Sequence, residues 1–198
     1  MNDARTNESC SAFKHQDVVG AHHRFQAVRF YGETWDMRHL DAFALKSDPG
    51  LGFEIDVVVL FTCHCFSHSM KRDDRTLTRI PPEEIFDNGI ERRVLDKERY
   101  ELSCRFLPQL VKDLDRRQIR FAGTHATNFF IAEDLAPGLG SYAIFFEVKR
   151  DRRRRRRMLL YVQSAYRLDR LTKRLGSARK IRFRKLLKST YLEKPVHQ

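Results

Sequence analysis

The chain has 198 residues, of which 41% are hydrophobic, and its formal net charge is +12. This length suits one domain with its own core, and no window holds the run of about 18 apolar residues that a membrane-spanning helix needs. Residues 141–198 carry 19 Lys or Arg and only 4 Asp or Glu, so the whole positive excess lies in the last third of the chain. This asymmetry favours a polyanionic partner, RNA ahead of DNA, and no membrane.

The first third of the chain predicts a polar arm followed by strands. Residues 1–20 are polar and contain no apolar targeting segment, which predicts a flexible arm and a cytoplasmic protein. Residues 22–31 alternate apolar and basic side chains as a strand does, and residues 35–45 predict a second strand or a short helix. Residues 51–66 give the strongest strand pattern, because β-branched residues are frequent there.

The middle of the chain predicts helices. Residues 81–86 combine proline with acidic residues, as the first turn of a short helix does. Over residues 96–118 the apolar side chains recur every three or four positions, which predicts an amphipathic helix with Asp96 as its N-cap. Pro108 interrupts this pattern, so we expect two helices or one kinked helix.

The last third predicts a basic antiparallel meander. The predicted strands cover residues 128–132, 142–149, 158–166 and 181–187, and a short basic helix over residues 168–175 ends at Gly176. The sequence therefore predicts an α+β fold in which residues 21–198 form a single domain. Its helices are expected to pack on one face of a mostly antiparallel sheet.

Residues 63–68 read Cys-His-Cys-Phe-Ser-His and place thiols and imidazoles, the ligands that zinc prefers, at the end of a strand. If the strand continues through Cys65, His64 points away from Cys63 and Cys65, and one metal cannot bind all three. We therefore expect no metal and no cofactor, with both cysteines in the core. A zinc-stabilised interaction module that uses Cys63, Cys65 and His68 remains the alternative.

His64 and His68 lie where the strand pattern gives way to a loop. Because histidine exchanges a proton near neutral pH, the pair is a candidate acid and base for cleavage of the RNA backbone. Ser164 and Tyr166 share a face of a predicted strand and are candidates for orienting the substrate. The competing interpretation gives these side chains no catalytic role.

Seven arginines and one aspartate occupy residues 150–157, between two predicted strands. Guanidinium groups in such a loop can contact phosphates and release counterions, although a solvated loop without a ligand has the same composition. The predicted nucleic-acid-binding residues of this loop are Arg150, Arg152, Arg153, Arg154, Arg155, Arg156 and Arg157. In the last predicted strand Arg182 and Arg184 share a face, and these two with Lys185 are further candidates for holding phosphate.

The stretches LFTCHCFSHS, YAIFFEVKRD and LLYVQSAYRLD resemble a group of bacterial proteins labelled stationary-phase growth adaptation proteins. This resemblance covers most of the chain and implies no particular chemistry. In layout alone, helices followed by a basic meander resemble barnase, colicin-type ribonucleases and the ribosome-dependent toxins that cleave messenger RNA. The layout implies an activity on RNA without identifying a catalytic residue, since residues 1–95 precede the helices and no catalytic motif aligns.

The sequence therefore predicts a protein that interacts with nucleic acid. In one form it is a metal-independent, toxin-like endoribonuclease, and a toxin would also have a partner protein that neutralises it. The alternative is a non-catalytic regulator that binds RNA, DNA or an acidic protein.

Overall fold

The computed structural model describes residues 24–121, 129–135 and 140–195. The predicted arm over residues 1–20 lies outside this part of the chain. None of the helices within the described ranges is long and apolar enough to cross a membrane.

Twelve strands and three α-helices occur within the described residues, which confirms the predicted α+β class. In chain order they are β1 (Val28–Phe30), β2 (Glu33–Trp35), β3 (Phe43–Ser47), β4 (Ile55–Phe61), β5 (Ser67–Ser69), β6 (Ile85–Asp87), β7 (Arg92–Leu95), α1 (Lys97–Lys112), β8 (Gln118–Phe121), β9 (Phe129–Asp134), β10 (Ser141–Arg150), β11 (Arg157–Leu168), α2 (Lys173–Gly176), β12 (Lys180–Arg182) and α3 (Phe183–Tyr191).

The largest sheet has seven strands in the order β12-β8-β9-β10-β11-β4-β3. β10 and β11 form a long antiparallel hairpin, whereas β11 and β4 pair in parallel. The sheet is therefore mixed, which corrects the prediction of a mostly antiparallel sheet. Residues 57–61 and 158–162 are continuous apolar runs, a pattern typical of strands buried on both faces, as in parallel pairs. No turn joins β4 to β11, so nothing local in the sequence shows that they pair.

The long helix α1 forms without a break at its proline. Asp96 is the N-cap, as predicted, and its carboxylate accepts a hydrogen bond from the backbone N–H of Arg99 at 3.0 Å. Pro108 lies inside the helix, so the predicted division into two helices does not occur. The apolar stripe that ends in Leu110 and Val111 is buried against the sheet, and this packing outweighs the one hydrogen bond that proline removes.

Helices α1 and α3 contribute their buried side chains to one apolar core. The helical members are Leu107, Leu110, Val111, Phe183, Leu186 and Leu187, and the central strands add Val57, Val59, Phe61, Ile144, Phe146 and Val148. Each such side chain stabilises the fold by about 1.5–3 kcal/mol when it is fully buried. Leu60, Leu159 and Tyr161 form a separate small cluster. Because strand side chains alternate, Val59 and Leu60 belong to opposite faces of the sheet.

The end of the chain corrects the predicted strand over residues 181–187. β12 stops at Arg182, and α3 begins at Phe183. The stretch fits both periods, since Ile181 and Phe183 alternate with basic residues while Phe183, Leu186 and Leu187 have helical spacing. The segment forms a helix because this buries Phe183, Leu186 and Leu187 together in the core.

Candidate functional site

The cysteine and histidine stretch leaves the sheet earlier than its apolar pattern suggests. β4 ends at Phe61, and Thr62 then donates its backbone N–H to the carbonyl of Val162 at 3.1 Å. The Thr62 hydroxyl also accepts from the backbone N–H of His64, which caps a 3₁₀ helix over Cys63–Cys65. The assumption that the strand continues through Cys65 is therefore wrong, and with it the argument that His64 points away from Cys63.

Cys63, His64 and Glu91 form a compact cluster, which we call the Cys-His-Glu cluster. Glu91 directly precedes β7, and its Oε1 lies 3.1 Å from Cys63 Sγ and 2.9 Å from His64 Nε2. One donor atom from each of the three side chains lies within 4.8 Å of the other two. Cys63 is buried, whereas the side chains of His64 and Glu91 remain 22% and 32% exposed, so the cluster is open to small solutes.

A buried arginine fixes the glutamate of this cluster. Arg93 donates to Glu91 Oε2 at 3.2 Å and to the Ser67 hydroxyl at 2.9 Å. Ser67 is fully buried and donates in turn to the carbonyl of Cys63 at 2.6 Å. The carboxylate is therefore held from one side by Arg93 and from the other by Cys63 and His64.

The charge states of the cluster follow from these contacts. The hydrogen bond from His64 lowers the pKa of Glu91 to about 2, and the Cys63 thiol and Arg93 act in the same direction. Burial raises the pKa of the Cys63 thiol, and the nearby Glu91 carboxylate raises it further. At neutral pH the cluster thus holds a carboxylate that accepts from a neutral thiol.

His68 does not join the Cys-His-Glu cluster. It lies on β5, where Nδ1 is 3.3 Å from the Asp96 carboxylate and Nε2 is 3.1 Å from Asp73. Hydrogen bonding to Asp96 raises the pKa of His68, while burial opposes this shift. Arg75 bridges Asp73 and Glu84, so His68 ties α1 to a network of ion pairs. The two histidines of the predicted acid–base pair therefore have different partners: His64 contacts Glu91, whereas His68 contacts Asp73 and Asp96.

Tyr166 and Ser164 lie beside the stretch that holds His64. Arg99 stacks over the Tyr166 ring, with Cζ 4.7 Å from its centroid, and donates to the carbonyl of His64 at 3.3 Å. The Tyr166 ring also stacks on Phe145, and Ser164 is the strand partner of Phe145. The structure therefore brings Tyr166 near the backbone of His64, as a substrate-orienting role would require, and that role stays a prediction.

Arg182 and Arg184 are not assembled with the histidines. Arg184 binds the Asp115 carboxylate at 2.5 Å, just beyond the C-terminal end of α1, whereas Arg99 contacts His64 in the first turn. α1 has 16 residues and is therefore about 24 Å long. Because α3 begins at Phe183, Arg182 and Arg184 do not share a strand face, which corrects that expectation. Lys185 is exposed on α3.

The arginine run forms the turn of the β10–β11 hairpin, as predicted. Asp151 is buried and accepts from Arg157 Nε at 2.5 Å and from the backbone N–H of Arg153 at 2.9 Å. Arg150 lies over the ring of Tyr191 at 4.7 Å, and Arg156 lies over Phe53 at 4.5 Å. The run is therefore docked on the body of the protein.

The exposed arginines of the turn border a concavity. Its volume is about 410 Å³, and it is lined by Arg150, Asp151, Arg152, Arg153, Arg154, Arg155 and Glu193. Arg152 lies 3.5 Å from the Glu193 carboxylate. Within the described ranges, the side chains of residues 153–155 make no ion pair, so these three guanidinium groups are available to an anionic ligand.

Sequence reasoning missed Glu91, Arg93 and Arg99 as parts of the site. All three lie among other charged residues, and their spacing from Cys63 and His64 matches no known pattern of metal ligands or catalytic residues. Only the pairing of β5 with β7 brings Glu91 and Arg93 next to Cys63. No signal in the sequence alone reveals that pairing.

The fold and the site together define a mixed α+β protein with two distinct polar features. The Cys-His-Glu cluster follows the C-terminal end of β4, and the arginine hairpin lies beside its N-terminal end, where Arg157 is the strand partner of Asp56. The YjaZ family model matches residues 26–191, and the chain therefore belongs to the YjaZ family. No curated protein matched the chain, and no solved structure matched it. This match supports neither the stationary-phase label nor the likeness to barnase.

Proposed function

We propose that this protein binds RNA through the arginine hairpin and the surface on which it is docked. We call this surface the basic end, and it comprises residues 150–157, the loop residues 50–53 and the end of α3 at residues 188–193. The observation that carries the proposal is that Arg150, Arg156 and Arg157 dock the turn on the protein, so the turn that presents residues 153–155 has a fixed position. A solvated loop would leave them mobile.

Aromatic and polar contacts join the three segments of the basic end. The rings of Phe53 and Tyr191 meet edge to face with centroids 5.6 Å apart, and Arg156 and Arg150 cover one ring each. Lys188 donates to the carbonyl of Gly50 at 2.9 Å. A guanidinium held over a ring loses little further freedom when its N–H groups bind phosphate, and its plane can also stack on an unpaired base. Unpaired bases are exposed in single-stranded nucleic acid, and single-stranded RNA is the form that we propose as the ligand.

The acids of the basic end are already engaged. Asp151 binds Arg157, and Glu193 pairs with Arg152. Among the described residues, the guanidinium groups of residues 153–155 make neither an ion pair nor a ring contact, so they present three charges that no acid pairs on one turn. If each contacts one phosphate of a single strand, removing all three should reduce the slope of log K against log salt by about 2.

The test is a fluorescence anisotropy titration of a labelled single-stranded RNA at several salt concentrations. The variant Arg153→Ala, Arg154→Ala, Arg155→Ala should bind at least about tenfold more weakly, with the shallower salt dependence given above. The matched control removes the same charge by Arg170→Ala, Lys173→Ala, Arg174→Ala beyond the far end of β11 and should change affinity by less than about threefold. Equal losses in both variants, or no binding by the wild type, would overturn the proposal.

The predicted endoribonuclease activity stays a separate prediction. The step from Asp56 to Thr62 along β4 spans roughly 20 Å, so RNA would have to reach that far from the basic end to meet His64. Labelled RNA that is shifted on a gel but intact supports binding alone. Fragments that disappear with His64→Ala, His68→Ala would support cleavage.

We also propose that the protein is cytoplasmic and that it has a partner protein. Within the part of the chain that the structure describes, Cys63, Cys65 and Cys104 form no disulfide, which suits a reducing compartment. Competition by duplex DNA or by an acidic polypeptide, measured against the same labelled RNA, shows which polyanion is preferred. If either one displaces RNA at lower concentration than unlabelled RNA does, the assignment of RNA is wrong.

A further inference from the structure

We propose that Cys63, His64 and Glu91 form a zinc site with three protein ligands and a fourth position open to water or an exchangeable anion. This site is independent of the basic end and differs from the set of Cys63, Cys65 and His68 that the sequence offers.

The three donor atoms lie close enough together to share one metal ion. Glu91 Oε1 lies 3.1 Å from Cys63 Sγ and 2.9 Å from His64 Nε2. With zinc–ligand bonds of about 2.0–2.3 Å, neighbouring donors of a tetrahedral site lie roughly 3.3–3.7 Å apart. The two distances that involve Glu91 Oε1 therefore need to lengthen by only a few tenths of an ångström, and the donor atoms of Cys63 and His64 lie within 4.8 Å of each other. A cation between the three atoms takes the place of the hydrogens that Cys63 and His64 now direct at Glu91.

The surroundings hold the ligands in the orientation that a metal requires. Arg93 donates to Glu91 Oε2, which His64 Nε2 also approaches at 3.2 Å, whereas Oε1 contacts both Cys63 and His64 and is the oxygen assigned to the cation. Asn88 accepts from the backbone N–H of Glu91 through Oδ1 at 2.9 Å, and its Nδ2 lies 3.9 Å from Cys63 Sγ. An amide donor aimed at sulfur stabilises a thiolate, and contacts of this kind to ligating side chains tune metal affinity.

The chemistry of the donors selects the metal. One thiolate and one imidazole with a single carboxylate suit zinc, whereas magnesium and calcium require mostly oxygen ligands. Because zinc binds the thiolate form of cysteine, binding releases the thiol proton of Cys63, and zinc with one thiolate and one carboxylate is then electrically neutral. Three protein ligands leave one position open, and the partial exposure of His64 and Glu91 gives a solute access to it.

His68 and Cys65 lie outside this ligand set. Both ring nitrogens of His68 are bound to the carboxylates of Asp73 and Asp96. Cys65 is buried in the apolar core, and its thiol does not belong to the group of donor atoms that lie within 4.8 Å of one another. Neither side chain is therefore available as a fourth ligand.

The experiment is a titration of the chelator-treated full-length chain with Co²⁺, which gives a thiolate-to-metal charge-transfer band, followed by displacement with Zn²⁺. We expect one equivalent to bind with release of a proton, and the band to disappear in Cys63→Ser. Glu91→Gln keeps a hydrogen-bond acceptor for His64 and should weaken binding at least tenfold. Cys104→Ser, at an exposed position, is the matched control and should bind like the wild type.

Circular dichroism of each variant separates loss of the site from loss of the fold. If Cys63→Ser does not fold, Glu91→Gln decides the question. The proposal is overturned if the wild type binds no stoichiometric Co²⁺ or Zn²⁺. It is also overturned if folded Cys63→Ser or Glu91→Gln binds as tightly as the wild type.

Discussion

The guanidinium carbon of Arg156 lies 4.5 Å from the centroid of the Phe53 ring, so a loop far earlier in the chain anchors the arginine turn. Arg156 has a positive φ of 57°, a conformation that costs a non-glycine residue free energy and needs compensating contacts. The stacking on Phe53 is one such contact. It links the conformation of the hairpin directly to its proposed role in binding RNA.

Phe53→Leu tests this link. Leucine keeps apolar contact but removes the aromatic face, so the free energy of unfolding should fall by about 1 kcal/mol. The affinity for single-stranded RNA should fall by about threefold, because the turn becomes less ordered. Urea unfolding and anisotropy titrations measure the two effects. The control Leu77→Ala changes a residue that is 63% exposed and should alter neither quantity. If Phe53→Leu leaves the RNA affinity unchanged, RNA binding does not depend on the ordered conformation of the turn.

Asp151→Asn distinguishes the effect of an ordered arginine turn on RNA binding from the effect of net charge. The change makes the chain more positive, so affinity for RNA should rise if net charge alone governs binding. Because Asp151 is only 5% exposed and binds Arg157 and the backbone of Arg153, we expect instead a loss of stability of about 1–3 kcal/mol and weaker RNA binding. The control Asp169→Asn makes the same charge change at an exposed position. Tighter RNA binding by Asp151→Asn would show that RNA binding does not require the ordered conformation of the arginine turn.

His68 predicts a dependence of stability on pH. Hydrogen bonding to Asp96 raises its pKa in the folded protein above the ordinary value of 6.5. The resulting stabilisation is fully present below pH 6.5 and is lost as the pH rises through the folded pKa. Urea midpoints measured between about pH 5.5 and 8.5 should therefore fall more steeply for the wild type than for His68→Gln.

His39→Gln is the control for that experiment, because burial lowers the pKa of His39 and gives the opposite sign. This variant should keep the fall in stability with rising pH. Identical profiles for the wild type and His68→Gln would show that the contacts with Asp96 and Asp73 contribute nothing.

Glu91 predicts a dependence in the acid range. Its pKa is lowered to about 2 from 4.5, first by the hydrogen bond from His64, so its stabilisation is present above pH 4.5 and is lost as the pH falls toward 2. Since the side chain is about a third exposed, we expect Glu91→Gln to cost about 1–2 kcal/mol at pH 7 in metal-free protein. The difference from the wild type should shrink at pH 3. A constant difference across this range would mean that the charge of Glu91 is not what stabilises the cluster.

The fold was predictable where the signal is local. The N-cap at Asp96, the hairpin around the arginine run and the α+β class all follow from turn and periodicity patterns. The parallel pairing of β4 with β11 was not predictable, because no short connection records it. Residues 181–187 satisfy two periods, and only the core that they enter decides between strand and helix.

The sequence predicted some of the residues of the site but not how they are arranged. The sequence singles out His64 and the arginine run, but one capping hydroxyl, that of Thr62, ends the strand and turns His64 toward Glu91. Glu91 is distant in the chain and lies in a stretch without a motif. Sequence motifs identify ligands that are close together in the chain. Glu91, the third residue of the Cys-His-Glu cluster, instead lies next to β7 and reaches Cys63 and His64 only in the folded structure.

The central claim, that RNA binds at the basic end, is tested most directly by mapping where RNA touches the protein. Single-stranded RNA that contains a photoreactive uridine is cross-linked to the full-length chain, and mass spectrometry identifies the modified residues. We predict cross-links in residues 150–157 and at Tyr191, which diminish with added salt and vanish in Arg153→Ala, Arg154→Ala, Arg155→Ala. Cross-links confined to residues 170–182, or a pattern unchanged in that variant, would contradict it.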